Sequence, residues 1–141
     1  MTKHFDMTNM IDDRALDILA RTVWGEARGE PQAGQIAVAY VAKNRARRPC
    51  WWGHDIISVC QARDQFSCWR PTDPNRPKLL GVTTSDPVFV TIQKLARKVM
   101  AGDVPDPTGG ATSYHTLDCH PGWAKDDHVT ARIGNHVFYK D

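Results

Sequence analysis

At 141 residues, with 41% hydrophobic and 24% charged residues, the chain has the composition of one soluble globular domain with one core. A formal net charge of +2 suits an anionic polymer but is too small to argue for nucleic acid. No apolar run reaches membrane-spanning length, and Met1-Thr2-Lys3-His4-Phe5-Asp6 lacks the apolar stretch of a secretory signal, so synthesis in the cytoplasm without stable membrane association is expected.

Residues 1–10 read as a polar lead-in to a domain over 11–141. Ile11, Ala15, Ile18, Leu19, Thr22 and Val23 follow helical spacing and predict a first helix over Asp12 to Glu26. Glu26 continues that stripe, three residues past Val23 and four past Thr22. Gly25, Gly29 and Pro31 weaken or end the helix there. A carboxyl group on the apolar face at a helix C-terminus is costly to ionise, and that cost keeps a proton available for acid chemistry near neutral pH. The alternative is a last-turn glutamate pointing into water, which is where most glutamates are. Glu30 would sit beside Glu26 if the helix ran on. Gly29 and Pro31 argue against that, and a structural role capping the next helix is the simpler expectation. Glu30 and Asp64 are the candidates for a second carboxylate.

A second helix is predicted over Gln32 to Arg47, with Asn44 on the core-facing side as a buried hydrogen-bonding post. Asp55 caps a short third helix carrying Ile56, Ile57 and Val59. Gln61 to Leu80, with Pro71, Pro74 and Pro77, reads as an ordered loop. Ser85-Asp86-Pro87 starts a fourth helix that runs to about Met100 and ends at Gly102. After the turn Asp106-Pro107-Thr108-Gly109-Gly110, one strand is expected over 111–116 and a second over 133–139. In the first, Thr112 and Tyr114 face one side and His115 the other. The fold class is therefore α+β, mainly α, with a small C-terminal β element.

Cys50, Cys60, Cys68 and Cys119 lack paired zinc-ligand spacing, and their oxidation state is left open. His115, Cys119, His120 and His128 cluster late in the chain and raise the rival of a zinc amidase or peptidase, though their spacing fits no standard zinc pattern. Trp51, Trp52, Trp69 and Trp123 raise another, a non-catalytic glycan-binding module using tryptophans as stacking platforms.

Several strings carry a family resemblance in order: Gly25-Glu26-Ala27-Arg28-Gly29-Glu30-Pro31, then Gly34-Gln35, Asn44-Arg45, Gln65-Phe66-Ser67, the turn at 106–110 with Tyr114 after it, and Ile133-Gly134-Asn135-His136-Val137-Phe138-Tyr139. The chain resembles the cell-wall hydrolases related to the spore-cortex-lytic enzymes SleB and CwlJ. The resemblance implies a lysozyme-like fold that cuts peptidoglycan glycan strands between N-acetylmuramic acid and N-acetylglucosamine, without cofactor or metal. It implies that Glu26 is the catalytic acid. With one carboxylate, the sugar's own 6-hydroxyl attacks the anomeric carbon and closes a 1,6-anhydro ring, a lytic transglycosylase outcome; a hydrolytic muramidase would need a second carboxylate. Gln65, Phe66 and Ser67 are expected to form a cleft wall, and Thr112, Tyr114 and His115 to contact substrate or orient the acid. A lone, mildly basic catalytic domain is similar to a phage or prophage endolysin, a monomer that reaches the wall after a holin breaches the membrane.

Overall fold

The computed structural model describes residues 11–63 and 65–140. The lead-in at 1–10 and the candidate carboxylate Asp64 lie outside the described residues.

Helix α1 (Asp13–Ala27) begins at Asp12, whose carboxylate accepts the N–H groups of Arg14 at 2.9 Å and Ala15 at 3.3 Å. Its buried arc is wider than the sequence stripe: Ala15, Leu16, Leu19, Ala20, Thr22, Val23, Trp24, Gly25 and Ala27 are all enclosed. The reason is position. Helices α2 (Gln32–Arg47), α3 (Ile56–Gln61), α4 (Asn75–Gly81) and α5 (Pro87–Ala101) all pack on α1, so most of its surface is core. Small residues of α2 (Ala37, Ala39 and Ala42) let its neighbours approach closely.

Helix α3 opens with a reciprocal Asp55–Ser58 capping box. Helix α5 opens with Asp86 and Pro87 and closes at Gly102, whose φ of 74° is in the left-handed region. The span 61–80 is not a plain loop. It holds a 3₁₀ turn, Ser67–Trp69, and α4. The prolines misled because Pro74 is the N-cap and Pro77 lies in the first turn, where a missing N–H breaks no helical bond. Arg21 of α1, paired with Asp17 at 3.0 Å, receives the C-terminal end of α4 by donating to the carbonyls of Leu79 at 2.6 Å and Val82 at 3.0 Å.

The β element has three antiparallel strands in the order β1-β3-β2: β1 (Ser113–Thr116), β2 (Val129–Ile133) and β3 (His136–Tyr139). The single strand expected over 133–139 is in fact a hairpin. Ile133 pairs with His136, leaving Gly134-Asn135 as a two-residue turn with Gly134 at φ 57°. Strand β3 is buried along its whole length: Phe138 enters the main core, while Val137 and Tyr139 pack with Ala124.

Helix α2 fixes this sheet to the helices. Asn44 Nδ2 donates to Asp106 at 2.9 Å and to the Ala111 carbonyl at 3.0 Å, and Arg45 Nε donates to the Thr112 carbonyl at 2.6 Å. Asn44 is thus a buried hydrogen-bonding post between α2 and the turn before β1. Among the described residues no helix is long and apolar enough to cross a membrane.

Candidate active site

Glu26 leaves the last turn of α1 half-buried, and the Tyr114 hydroxyl of β1 donates to its Oε1 at 2.8 Å. Cys68, on the 3₁₀ turn, offers the same carboxylate its thiol and its backbone N–H. Burial pushes the Glu26 pKa above the ordinary value of 4.5. The bonds from Tyr114 and Cys68 oppose the rise without cancelling it, and the nearby Asp73 charge adds to it. Burial likewise raises Tyr114 well above 10, reinforced by Glu26, so the phenol keeps its proton and acts as donor. Burial and Glu26 also raise Cys68, which leaves its thiol un-ionised beside the acid.

The carbonyls at the end of α1 are taken up locally. Arg28 lies 4.4 Å over the Trp24 ring and donates to the carbonyls of Trp24 at 3.2 Å and Gly25 at 3.3 Å, and to Asn75 at 2.8 Å. The raised Glu26 pKa is therefore mainly a matter of desolvation, with less from the helix end than the sequence suggests.

Gly25 allows the close approach. A Cβ there would meet Cys68 Cβ, Cys68 Sγ and Leu79 Cδ2, each at 3.0 Å. Gly25→Ala should lower stability by about 1–3 kcal/mol through overpacking, against a helix-propensity gain of about 1 kcal/mol. Urea melts of the two proteins measure the difference. A more stable Gly25→Ala would mean that the Cys68 turn yields easily.

Glu26 opens on a cavity of about 580 Å³ lined also by Ala27, Gly29, Glu30, Thr116, Leu117, Asp118, Asn135 and His136. A second cavity, of about 550 Å³, includes Phe66, Trp69 and Thr72 in its wall. The structure therefore brings Glu26, Tyr114 and Glu30 to one place. Glu30 does not cap α2, whose N-cap is Pro31 with no side-chain bond; its carboxylate instead accepts from Asn135 N at 2.8 Å and Asn135 Nδ2 at 3.0 Å.

Gln65 and Ser67 are half-buried around Phe66, which is 2% exposed and packs under Tyr114 with a ring separation of 6.4 Å. Phe66 thus offers little ring face to a sugar. Thr112 is fully buried and lines neither cavity. His115 alternates to the opposite face of β1, where Nε2 and the Tyr139 hydroxyl are 2.7 Å apart and Trp123 and His120 stack around the ring. The tryptophans form no common platform: Trp52 is buried, donates to the Arg45 carbonyl at 2.9 Å and lies 5.6 Å from the exposed Trp51 ring, while Trp123 is exposed beside His115 and Tyr139. The four cysteines are free, Cys60 and Cys68 buried and Cys50 and Cys119 exposed. Among the described residues no group of three or more His, Cys, Asp or Glu side chains is placed to hold a metal ion.

Sequence reasoning missed Cys68, Asp73, Asn135 and His136 as neighbours of the site. The Gly134-Asn135 pair was the available signal, because a hairpin turn there brings Asn135 and His136 back toward Glu30.

Residues 29–139 match the cell wall hydrolase family, a match that begins three residues after Glu26. A spore cortex-lytic enzyme of Halalkalibacterium halodurans is 32% identical over 129 residues, covering 89% of this chain and 34% of that protein. A Bacillus cereus spore cortex-lytic enzyme is 26% identical over 141 residues, covering 98% of this chain and 49% of that one. The chain thus spans half or less of these relatives' length. The crystal structure of the catalytic domain of Bacillus cereus SleB superposes with a TM-score of 0.69 at 25% identity, covering 98% of this chain and all of that one. The catalytic domain of the germination-specific lytic transglycosylase SleB from Bacillus anthracis gives 0.60 at 24% identity, covering 99% and 100%. The fold is accordingly the lysozyme-like fold of those domains, and the chain belongs to the cell wall hydrolase family.

Proposed function

We propose that this domain cleaves the glycan strand of peptidoglycan between N-acetylmuramic acid and N-acetylglucosamine, with Glu26 as general acid. The reading rests on one observation above others: a carboxyl group desolvated at the wall of a large cleft, with Tyr114 donating to it and its pKa held up by burial. The relatives named as cortex-lytic enzymes support the substrate class. Such an acid protonates the glycosidic oxygen while the bond to the anomeric carbon breaks.

A lytic transglycosylase outcome is favoured over hydrolysis. Hydrolysis calls for a second carboxylate free to act as nucleophile or to activate water. Glu30 has both oxygens engaged by Asn135, and Asp118, also on the cavity wall, accepts from the Thr116 hydroxyl. The muramic 6-hydroxyl is then the nucleophile, and the product carries a 1,6-anhydro ring. Mass spectrometry of digested peptidoglycan tests this. Anhydromuramic ends are expected; reducing ends would mean hydrolysis; freed stem peptides would mean a different bond.

The delivery part of the proposal is a phage-type endolysin that meets the wall after the membrane is breached, its net charge of +2 favouring an anionic wall. Cells expressing the domain should lyse only after the membrane is permeabilised.

A further inference from the structure

The 3₁₀ turn Ser67–Trp69 serves two places at once. Cys68 reaches Glu26, while Trp69, with Phe66 just before the turn, lines the cavity of about 550 Å³. That cavity shares no wall residue with the one that holds Glu26, and the acid step makes no use of it. Its aromatic side is tied to the neighbours of the acid. The Trp69 indole N–H donates to Thr22 Oγ1 at 2.9 Å, one turn before Glu26 on α1, and that hydroxyl donates to the Ile18 carbonyl at 2.7 Å. The polar edge of the half-buried indole is thus spent on α1, and what the ring offers the cavity is its apolar body. Phe66 packs against Tyr114, and the Arg45 guanidinium lies 5.1 Å over its ring.

The rim is cationic. Exposed Arg63 and Arg70 both belong to the wall, with the amide of Gln61 and the hydroxyl of Thr72 beside them. Arg70 is held at the end of the turn, its backbone N–H donating to the Ser67 carbonyl at 3.0 Å. Among the described residues this wall carries no acidic side chain; Asp73 lies outside it and accepts from Asn75 N at 2.8 Å. The Glu26 cavity has the opposite character, with the carboxyl groups of Glu26, Glu30 and Asp118 in its wall. An anionic ligand is therefore drawn to the first of these cavities and disfavoured in the second.

We propose that the cavity beside the turn binds the stem peptide of peptidoglycan, with Arg63 and Arg70 receiving a peptide carboxylate and Trp69 packing on its aliphatic side chains. This rests on the glycan-cleaving reading above. The peptide hangs from the muramic acid, the sugar whose bond Glu26 would protonate, so a pocket next to the acid but apart from its cleft is placed to meet the branch and not the strand. Charge separates the two further. N-acetylated sugars are neutral and give a guanidinium no partner, whereas a carboxylate matches its planar fork of donors. The pocket makes the enzyme selective for peptide-bearing glycan.

The test uses the intact chain and solubilised peptidoglycan prepared twice, once with its stem peptides and once stripped of them by an amidase. Wild-type protein should show a KM about tenfold lower on the peptide-bearing material. The double variant Arg63→Gln, Arg70→Gln should erase that difference while leaving kcat, and KM on stripped glycan, unchanged. Binding is read without cleavage from the Trp69 indole N–H in nitrogen–proton NMR, identified by its loss in Trp69→Phe, as free stem peptide is added to millimolar concentration. The resonance should move with the peptide and stay in place with the same peptide amidated at its carboxylates. Equal KM on the two materials, an equal loss on both in the double variant, or an indole that answers the amidated peptide as strongly would overturn the inference. Protein that binds the peptide yet leaves both materials intact would defeat the glycan-cleaving reading and uphold the pocket.

Discussion

Glu26→Gln should reduce peptidoglycan cleavage by about 10²–10⁴-fold, the usual worth of a positioned general acid. Glutamine keeps the shape and can still accept from Tyr114, but it has no acid proton to give. The same substitution should make the protein more stable at neutral pH. The native state holds the Glu26 proton at pH values where an unfolded chain has released it, because burial raises the folded pKa above 4.5. Below the unfolded pKa, protonated Glu26 carries no ionisation penalty. As pH rises from there through the raised folded pKa, the folded state loses stability. The melting temperature of Glu26→Gln should therefore exceed that of the wild type at pH 7, with the gap closing toward pH 4. Activity of the wild type should fall over the same rising pH, since only the protonated acid works. Calorimetry at several pH values, paired with turbidity assays on wall material, checks both halves. A Glu26→Gln protein that still lyses walls at the wild-type rate would remove Glu26 from the reaction.

The largest expected loss of stability comes from Asp106→Ala. Its carboxylate accepts four bonds: from Thr108 N at 2.8 Å, Thr108 Oγ1 at 2.6 Å, Gly110 N at 3.1 Å and Asn44 Nδ2 at 2.9 Å. These bonds shape the turn that launches β1, and with it the position of Tyr114. Truncation leaves Asn44 and the fully buried Thr108 short of partners. Hydrogen bonds to a charged group are worth about 1.5–3 kcal/mol each and are not additive here, so a loss of about 3–4 kcal/mol is expected. The pH dependence has the opposite sign to that of Glu26. Partial burial alone would raise the Asp106 pKa, but the bonds from Thr108, Asn44 and Gly110 bring it below 3.8. Its contribution is complete above the unfolded pKa and is lost as pH falls through the lowered folded value. Asp106→Ala should accordingly show a flatter decline of stability in acid than the wild type. Denaturant titrations between pH 2 and pH 7 measure this; parallel curves would assign the acid sensitivity to other carboxylates.

The helices were legible because their punctuation is chemical and local. Asp55 and Asp86 cap, Pro87 starts and Gly102 stops where the sequence places them, while Asp12, read as the first residue of its helix, is the N-cap. The misreadings share one cause: a residue type was taken for its commonest use. Pro74 and Pro77 suggested loop but open α4, and Gly134-Asn135 was absorbed into a strand although it is a hairpin turn. Of the site, Glu26 could be placed because its stripe is contiguous in the chain. Tyr114 could be put on the right face of its strand by alternation alone. The contacts of Cys68, Glu30, Asn135 and His136 depend on how the 3₁₀ turn and the hairpin fold back on α1, and no local spacing encodes that. Phe66 and Thr112 show the converse limit. Both were read as substrate contacts, yet their side chains are buried, Thr112 just before β1 and Phe66 just before the 3₁₀ turn.

The central claim is that burial raises the pKa of Glu26 at the wall of the cleft. Carbon NMR of side-chain-labelled glutamate, titrated on the intact folded chain, reads that pKa directly. The Glu26 carboxyl should titrate above 4.5, and the transition should disappear in Glu26→Gln. A Glu26 that ionises at or below 4.5 in the folded protein would contradict the account.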